Sequence, residues 1–199
     1  MKRYLMAFAV VATLSFSAGA CVNAQQSPPA LLSDFVQQSE IMPGESYNVL
    51  RMEVDLTGDG VPELLLAKAL PNGRSGEQEW FAYSNLGNQQ YRRLGIMDFS
   101  FLLFRLDAQG KLLVYDTGLQ VMVTYQVDSS GFHEVSRQSG VVAGGAEWQK
   151  FADWRKSAGL RVLSADLNDL QTNASPTWTD VLTQKPVAGV GPLTGVVIQ

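Results

Sequence analysis

The 199-residue sequence contains one cysteine, Cys21, and one histidine, His133. One cysteine cannot form a disulfide within the chain, so stability has to come from packing and from any bound metal. One histidine and one cysteine also cannot supply the ligands of a usual zinc site. These absences exclude a disulfide scaffold and a histidine-based zinc centre.

Basic residues are few and scattered. Fifteen Lys and Arg stand against nineteen Asp and Glu, and the formal net charge is −4. Without a basic run, nucleic acid is not expected as a partner. No stretch approaches the roughly 18 uninterrupted apolar residues that a membrane helix needs, so no transmembrane segment is expected.

The N-terminus has the pattern of an export signal. Lys2 and Arg3 precede the apolar run Leu5–Phe16, and small residues follow it. The pattern predicts a signal peptide over residues 1–24, and therefore a periplasmic or secreted protein.

The position of cleavage decides the fate of Cys21. Cleavage after Ala20 would permit a lipid anchor at Cys21, whereas cleavage after Ala24 would leave no cysteine in the mature chain. Bacterial lipoprotein sites usually carry Leu or a similar residue where this chain has Ala18. This difference favours soluble secretion over a lipid anchor.

The residue periodicity after the signal indicates an α+β fold. We expect a single β-rich domain over residues 25–175, followed by an irregular Pro- and Gly-containing tail over residues 176–199. Alternating apolar residues predict an antiparallel, hairpin-rich sheet, because successive strand side chains point to opposite faces. The predicted strands lie near residues 47–56, 64–67, 79–83, 91–95, 101–106, 111–115, 121–127 and 132–135.

Helical spacing of apolar residues appears near both ends of the domain. It predicts a short N-terminal helix up to about Glu40 and a C-terminal helix over Glu147–Ser157 packed on the sheet. A further short helix is predicted over Ser164–Leu170, with Ser164 as its N-terminal cap.

The segment Asp55–Glu63 is rich in side-chain oxygen. Asp55, Thr57, Asp59 and Glu63 stand at positions 1, 3, 5 and 9, and Val61 at position 7 could offer its backbone carbonyl. Calcium takes six to eight oxygen ligands from a chain that curls around it, and this spacing suits that geometry. Three carboxylates in nine residues would also repel one another unless a cation neutralised them. We therefore predict one bound calcium ion, held by these five residues.

The flanks of this loop distinguish it from an EF-hand. Position 12 is Leu66 where an EF-hand has a bidentate Glu, and apolar strand-like segments stand where an EF-hand needs helices. The loop resembles the D-x-[DNT]-G-D-G-x-x-[ED] calcium loop of FG-GAP (integrin-type and VCBS-type) repeats, which joins two strands. The resemblance covers about residues 48–96 and implies the same five calcium ligands, with neutral Thr57 in place of the usual Asn or Asp. The loop occurs once, which counts against a complete propeller in this chain.

The alternative interpretation of the same segment is a plain turn. Asp-Gly is a strong hairpin signal by itself, so Thr57–Gly60 could turn the chain without any metal. Glu63 would then be a solvated residue at the start of the next strand.

Other patterns give little support for catalysis. His133 lies in Gly-Phe-His-Glu-Val on a predicted strand, and no Gly-x-Ser-x-Gly motif is present. Carboxylate pairs could hydrolyse glycosides, but no pair stands out among the acidic residues. Four aromatic residues could line an outward surface for a glycan or protein partner, although core packing explains them more simply. They are Trp80, Phe81, Tyr83 and Tyr91.

These observations favour a non-enzymatic, exported binding or structural module with one calcium loop and a protein or glycan partner in the cell envelope. The alternative is a periplasmic inhibitor or immunity protein that blocks a toxin or lytic enzyme. A small hydrolase that uses carboxylates is a third possibility.

Overall fold

The computed structural model describes residues 30–42, 45–71, 77–141 and 144–198. The expected signal peptide, its cleavage site and Cys21 lie outside the described residues. In the described part of the chain, no helix is long and apolar enough to span a membrane.

The chain forms twelve named strands and three helices within the described ranges. The helices are α1 (Leu31–Gln38), α2 (Ala146–Ser157) and α3 (Leu167–Thr172). The strands are β1 (Asn48–Val54), β2 (Glu63–Ala69), β3 (Gln78–Asn85), β4 (Gln90–Phe99), β5 (Phe104–Leu106), β6 (Leu112–Asp116), β7 (Val121–Asp128), β8 (Gly131–Ser139), β9 (Leu163–Asp166), β10 (Trp178–Asp180), β11 (Pro186–Val187) and β12 (Val196–Ile198).

The strands form two sheets. The larger sheet has the order β11-β10-β9-β1-β2-β3-β4-β12, and the smaller has the order β5-β6-β7-β8. Neighbouring strands run antiparallel except β12, which pairs with β4 in parallel. The predicted α+β fold with an antiparallel, hairpin-rich sheet is confirmed.

The larger sheet buries apolar side chains on both faces. One face carries Leu50, Met52 and Trp80 and packs against the smaller sheet, including Phe104. The opposite face carries residues such as Phe81 and packs against α1 and α3. Alternation along β1–β3 produces this division, because odd and even positions of a strand point to opposite faces.

Helix α2 packs on the smaller sheet through aromatic residues. Phe151 is buried, and Trp154 contacts Phe104 with ring centroids 5.3 Å apart. Trp148 contacts Tyr115 edge to face at 4.9 Å. The predicted C-terminal helix therefore packs on a sheet, as expected from its aromatic stripe.

The third helix begins later than its sequence predicts. Ser164 is not the cap but a residue of β9, where it pairs with Leu50 on one side and Thr179 on the other. Asp166 caps the helix, because its carboxylate accepts hydrogen bonds from the N–H groups of Asn168 and Asp169.

The prediction of an irregular tail over residues 176–199 is wrong in part. The tail contributes β10, β11 and β12, and Trp178 is fully buried. These strands add to opposite edges of the larger sheet, next to β9 and β4. Pairing of this kind depends on distant residues, and a local Pro- and Gly-rich composition does not reveal it.

Candidate functional site

The segment Asp55–Glu63 connects β1 to β2 at one end of the larger sheet. The two strands pair antiparallel up to Val54 and Glu63, so the loop begins and ends at directly opposed positions. Gly58 and Gly60 have φ angles of 77° and 86°, a left-handed backbone that side chains disfavour. The two glycines therefore set the curl of the loop.

The first aspartate of the loop binds backbone groups inside the curl. Asp55 accepts hydrogen bonds from the N–H groups of Gly58 at 2.7 Å and Gly60 at 2.9 Å. Asp59 accepts one from the N–H of Val61 at 2.8 Å. Both carboxylates thus stabilise the turn, as short acidic side chains commonly do.

Glu63 links the end of the loop to its beginning. Its side chain is buried, and Oε2 accepts hydrogen bonds from the N–H groups of Leu56 at 2.8 Å and Thr57 at 3.3 Å. The interpretation of Glu63 as a solvated strand-end residue is therefore wrong. The strand alternation places Glu63 inward at the point where the loop returns to the sheet.

The surroundings of Glu63 raise the pKa of its carboxyl. Burial raises its pKa, and the negative charges of Asp59 and Asp55 raise it further. The N–H groups of Leu56 and Thr57 oppose this effect without cancelling it. A positive charge near the loop would lower the pKa and stabilise the ionised form.

Thr57 and Val61 complete the predicted ligand set. The Thr57 hydroxyl oxygen is buried and has no hydrogen-bond partner among the described residues. Val61 is exposed at the outer side of the loop. The loop therefore offers carboxylate, hydroxyl and carbonyl oxygen, which is the donor set of a hard cation.

The side chains do not converge on one point. Within residues 30–42, 45–71, 77–141 and 144–198, no group of three or more His, Cys, Asp or Glu side chains is arranged to hold a metal ion. Instead, Asp55, Asp59 and Glu63 each turn toward N–H groups of their own loop. The five predicted ligand residues therefore lie in one short loop, and their coordination of a calcium ion is a proposal.

A second polar cluster lies in the turn between β7 and β8. Ser130 Oγ is 2.9 Å from Nε2 of His133 and donates to Asp128 at 2.6 Å, and the same Nε2 is 3.2 Å from Asp128. A catalytic triad needs the acid on the other ring nitrogen, so that the histidine can accept the serine proton. No sequence motif predicts contact among these three residues, and their arrangement is that of an exposed turn.

The four aromatic residues expected as an outward surface belong mainly to the core. Trp80, Phe81 and Tyr83 are buried, and only Tyr91 is partly exposed. They do not form an outward aromatic surface.

Comparison of the chain with protein-family models, with curated proteins and with solved structures finds no match.

Proposed function

We propose that this protein is a non-enzymatic, extracytoplasmic binding or structural module, in which one calcium ion orders the Asp55–Glu63 loop. The observation that carries the proposal is the buried Glu63 carboxyl beneath a loop with two further carboxylates. The ion would fix the turn between β1 and β2 and hold the neighbouring surface in place for a protein or glycan partner.

The residues of the loop suit this ion by chemistry. Asp55, Asp59 and Glu63 would hold it with their carboxylates, Thr57 with its hydroxyl and Val61 with its carbonyl. The hydroxyl of Thr57 has no partner among the described residues, so it is available for such a contact. A carboxylate has about four lone-pair sites, so its bonds to loop N–H groups leave capacity for a cation.

The charge balance of the loop gives calcium a stabilising role. Three carboxylates in nine residues repel one another, and burial raises the pKa of Glu63. A divalent ion would favour the ionised form of Glu63 and neutralise two of the three charges that the fully ionised loop carries. Extracellular calcium sites work at dissociation constants of about 10⁻⁴–10⁻³ M, and a neutral Thr ligand suits that weak range.

Thermal unfolding with and without calcium tests the proposal. At 10 mM calcium, such a dissociation constant corresponds to about 1.4–2.7 kcal/mol of added stability, so the melting temperature should rise. Asp55→Asn and Asp59→Asn keep an acceptor oxygen and remove the charge, so each should reduce the rise.

Asp107→Asn is the matched control. Asp107 accepts from the N–H groups of Gln109 and Lys111 in the turn between β5 and β6, much as Asp55 does in the candidate loop. The Asp107→Asn variant should show the same calcium-dependent rise in melting temperature as the unmodified protein. An equal rise in the Asp55 and Asp59 variants, or no rise in the unmodified protein, would refute calcium binding at this loop.

The inhibitor or immunity function is a second candidate, and strand β8 favours it. Among the described strands β8 pairs with β7 alone, and seven of its nine residues are exposed. An unpaired strand edge can bind an extended segment of another protein. Complexes recovered from an envelope extract test this candidate, because light scattering gives their stoichiometry. A one-to-one complex with an enzyme would support it, provided that Arg137→Glu in β8 weakens the complex.

A further inference from the structure

A polar groove lies at the end of the larger sheet away from the acidic loop. It is a cavity of about 610 Å³ over β1, β2, β9 and β10. The loop joins β1 and β2 at Val54 and Glu63, whereas the groove lies at the opposite end, where Asn48 pairs with Ala69. Seven residues of strand separate the two ends by about 20 Å.

The strand register sets polar side chains side by side in this groove. Ser164 is paired with Leu50 on one side and Thr179 on the other, and Asn48 is paired with Asp166. Directly opposed residues in antiparallel strands point to the same face, with Cβ atoms about 4.5–5.5 Å apart. The side chains of Ser164 and Thr179 are therefore neighbours on the same face of the sheet as Leu50.

Strands β9 and β10 are amphipathic, and their polar side faces the groove. Leu163, Ala165 and Trp178 are buried against the helices on the opposite face. The alternating residues Ser164 and Thr179 are half-buried. Both residues line the cavity.

The lining indicates the chemical class of a ligand. None of the described residues that line the groove is basic, and Asp166 is the only acidic one. One oxygen of Asp166 accepts from the N–H groups of Asn168 and Asp169. The apolar part of the lining comes from Leu50, Ala69 and the partly exposed Val181. A lining of hydroxyl and amide groups beside apolar groups suits a ligand with both hydroxyls and C–H faces, and it disfavours an anion.

The geometry points to this groove as a binding site for a neutral saccharide, held by the side chains of Ser164, Thr179 and Asn48 beside Leu50. Its volume lies within the range of about 300–1,000 Å³ that is typical of small-molecule sites. This inference rests on the proposed binding function and names the class of ligand that the module would bind. It does not depend on calcium, because the loop lies at the far end of the hairpin.

Ligand-observed NMR with a panel of neutral mono- and disaccharides, followed by calorimetry on any that bind, tests the assignment. At least one neutral sugar should bind, and glucuronate should bind more weakly because it brings a negative charge next to Asp166. Ser164→Ala and Thr179→Val each remove one hydroxyl, and each should weaken binding about three- to tenfold. Ser136→Ala, an exposed strand position in β8, should leave the affinity unchanged.

Two results would overturn the assignment. One is that no neutral saccharide in the panel binds; the other is that the sugar binds equally well to the Ser164 and Thr179 variants. Asp59→Asn separates this assignment from the calcium proposal, because it should reduce the calcium response and leave the sugar affinity unchanged. If sugar binding is instead lost in Asp59→Asn and kept in Ser164→Ala, the site belongs to the loop and not to the groove.

Discussion

The carboxylate of Glu63 accepts a hydrogen bond from the backbone N–H of Leu56 at 2.8 Å, across the base of the acidic loop. The contact joins the first residue of β2 to the second residue of the loop, so one side chain fixes both ends of the turn. It also buries a carboxyl next to two other acidic residues. The stability of this region should therefore depend on the protonation of Glu63.

Stability without calcium should fall as Glu63 ionises. Burial raises the folded-state pKa of Glu63 above its ordinary value of 4.5, so folding favours the protonated form. Its contribution is complete below that value and is lost as the pH rises through the raised pKa, by up to about 1.4 kcal/mol per pH unit. Glu63→Gln cannot titrate, so its stability should fall less over this range.

Urea unfolding of both proteins in a chelator, at a series of pH values from 4 to 8, measures the difference. Other carboxyls titrate in both proteins, so the informative quantity is the gap between the two curves. If the difference in the free energy of unfolding between the two proteins is the same at every pH, ionisation of Glu63 does not affect stability.

Local pattern was sufficient to predict the hairpins. The alternation in Tyr47–Leu56 and Val121–Val127 predicts β1 and β7 within two residues, because the period of two is a property of the strand itself. The division into two sheets and the parallel pairing of β12 with β4 depend on contacts between distant residues. No local periodicity encodes those contacts.

The same limit applies to the candidate site. Residue spacing located the loop and its oxygen donors, since these follow directly from the sequence. It did not predict that Glu63 would be buried, because burial depends on which face of β2 packs against the core. The turn cluster of Asp128, Ser130 and His133 was detectable in principle, since all three fall within six residues around a hairpin turn.

The hydroxyl of Tyr83 should make a measurable contribution to stability. It donates to Asp34 at 3.0 Å, and Arg93 donates to the other oxygen of the same carboxylate at 2.6 Å. Both Asp34 and Tyr83 are buried, and burial together with Asp34 raises the pKa of Tyr83 well above its ordinary value. Tyr83→Phe removes one partner of a buried charge and should cost about 1–3 kcal/mol in the free energy of unfolding.

Chemical denaturation of Tyr83→Phe beside Tyr91→Phe provides the measurement. Tyr91 is a half-buried tyrosine on the next strand, and loss of its hydroxyl should change stability by less than about 0.5 kcal/mol. Equal losses in the two variants would mean that the bond to Asp34 adds nothing specific.

The turn after β10 should become less stable in acid. Burial acts to raise the pKa of Asp180, but hydrogen bonds from Thr183 and Leu182 and the guanidinium of Arg161 outweigh it and lower the pKa below 3.8. The stabilising contribution is therefore present above pH 3.8 and is lost as the pH falls through the lowered pKa. Asp180→Asn should cost about 1–3 kcal/mol at pH 7 and less at pH 3.

Urea unfolding of the unmodified protein and Asp180→Asn at these two pH values checks the sign. The expected result is a gap between the two proteins that narrows in acid. A gap that stays constant or widens would show that ionisation of Asp180 is not what stabilises the turn.

The docking of β12 on β4 should depend on the absence of a side chain at residue 195. A Cβ atom there would overlap the ring of Tyr91 and lie 2.9 Å from the carbonyl oxygen of Gln89. The Tyr91 ring could rotate, but the backbone carbonyl cannot move without disturbing the pairing of Val196 with Gln90. Gly195→Ala should therefore destabilise the protein by about 1–3 kcal/mol.

Gly191→Ala is the matched control, because a Cβ atom at residue 191 has no neighbour within 4 Å among the described residues. It should change stability by less than about 0.5 kcal/mol. Hydrogen exchange identifies where the loss occurs: protection in Gly195→Ala should fall first in β12 and at the start of α1, since the N–H of Leu31 donates to the carbonyl of Gly195. Unchanged protection there, or equal destabilisation by the two variants, would show that the close contact with Tyr91 and Gln89 does not hold the C-terminal strand.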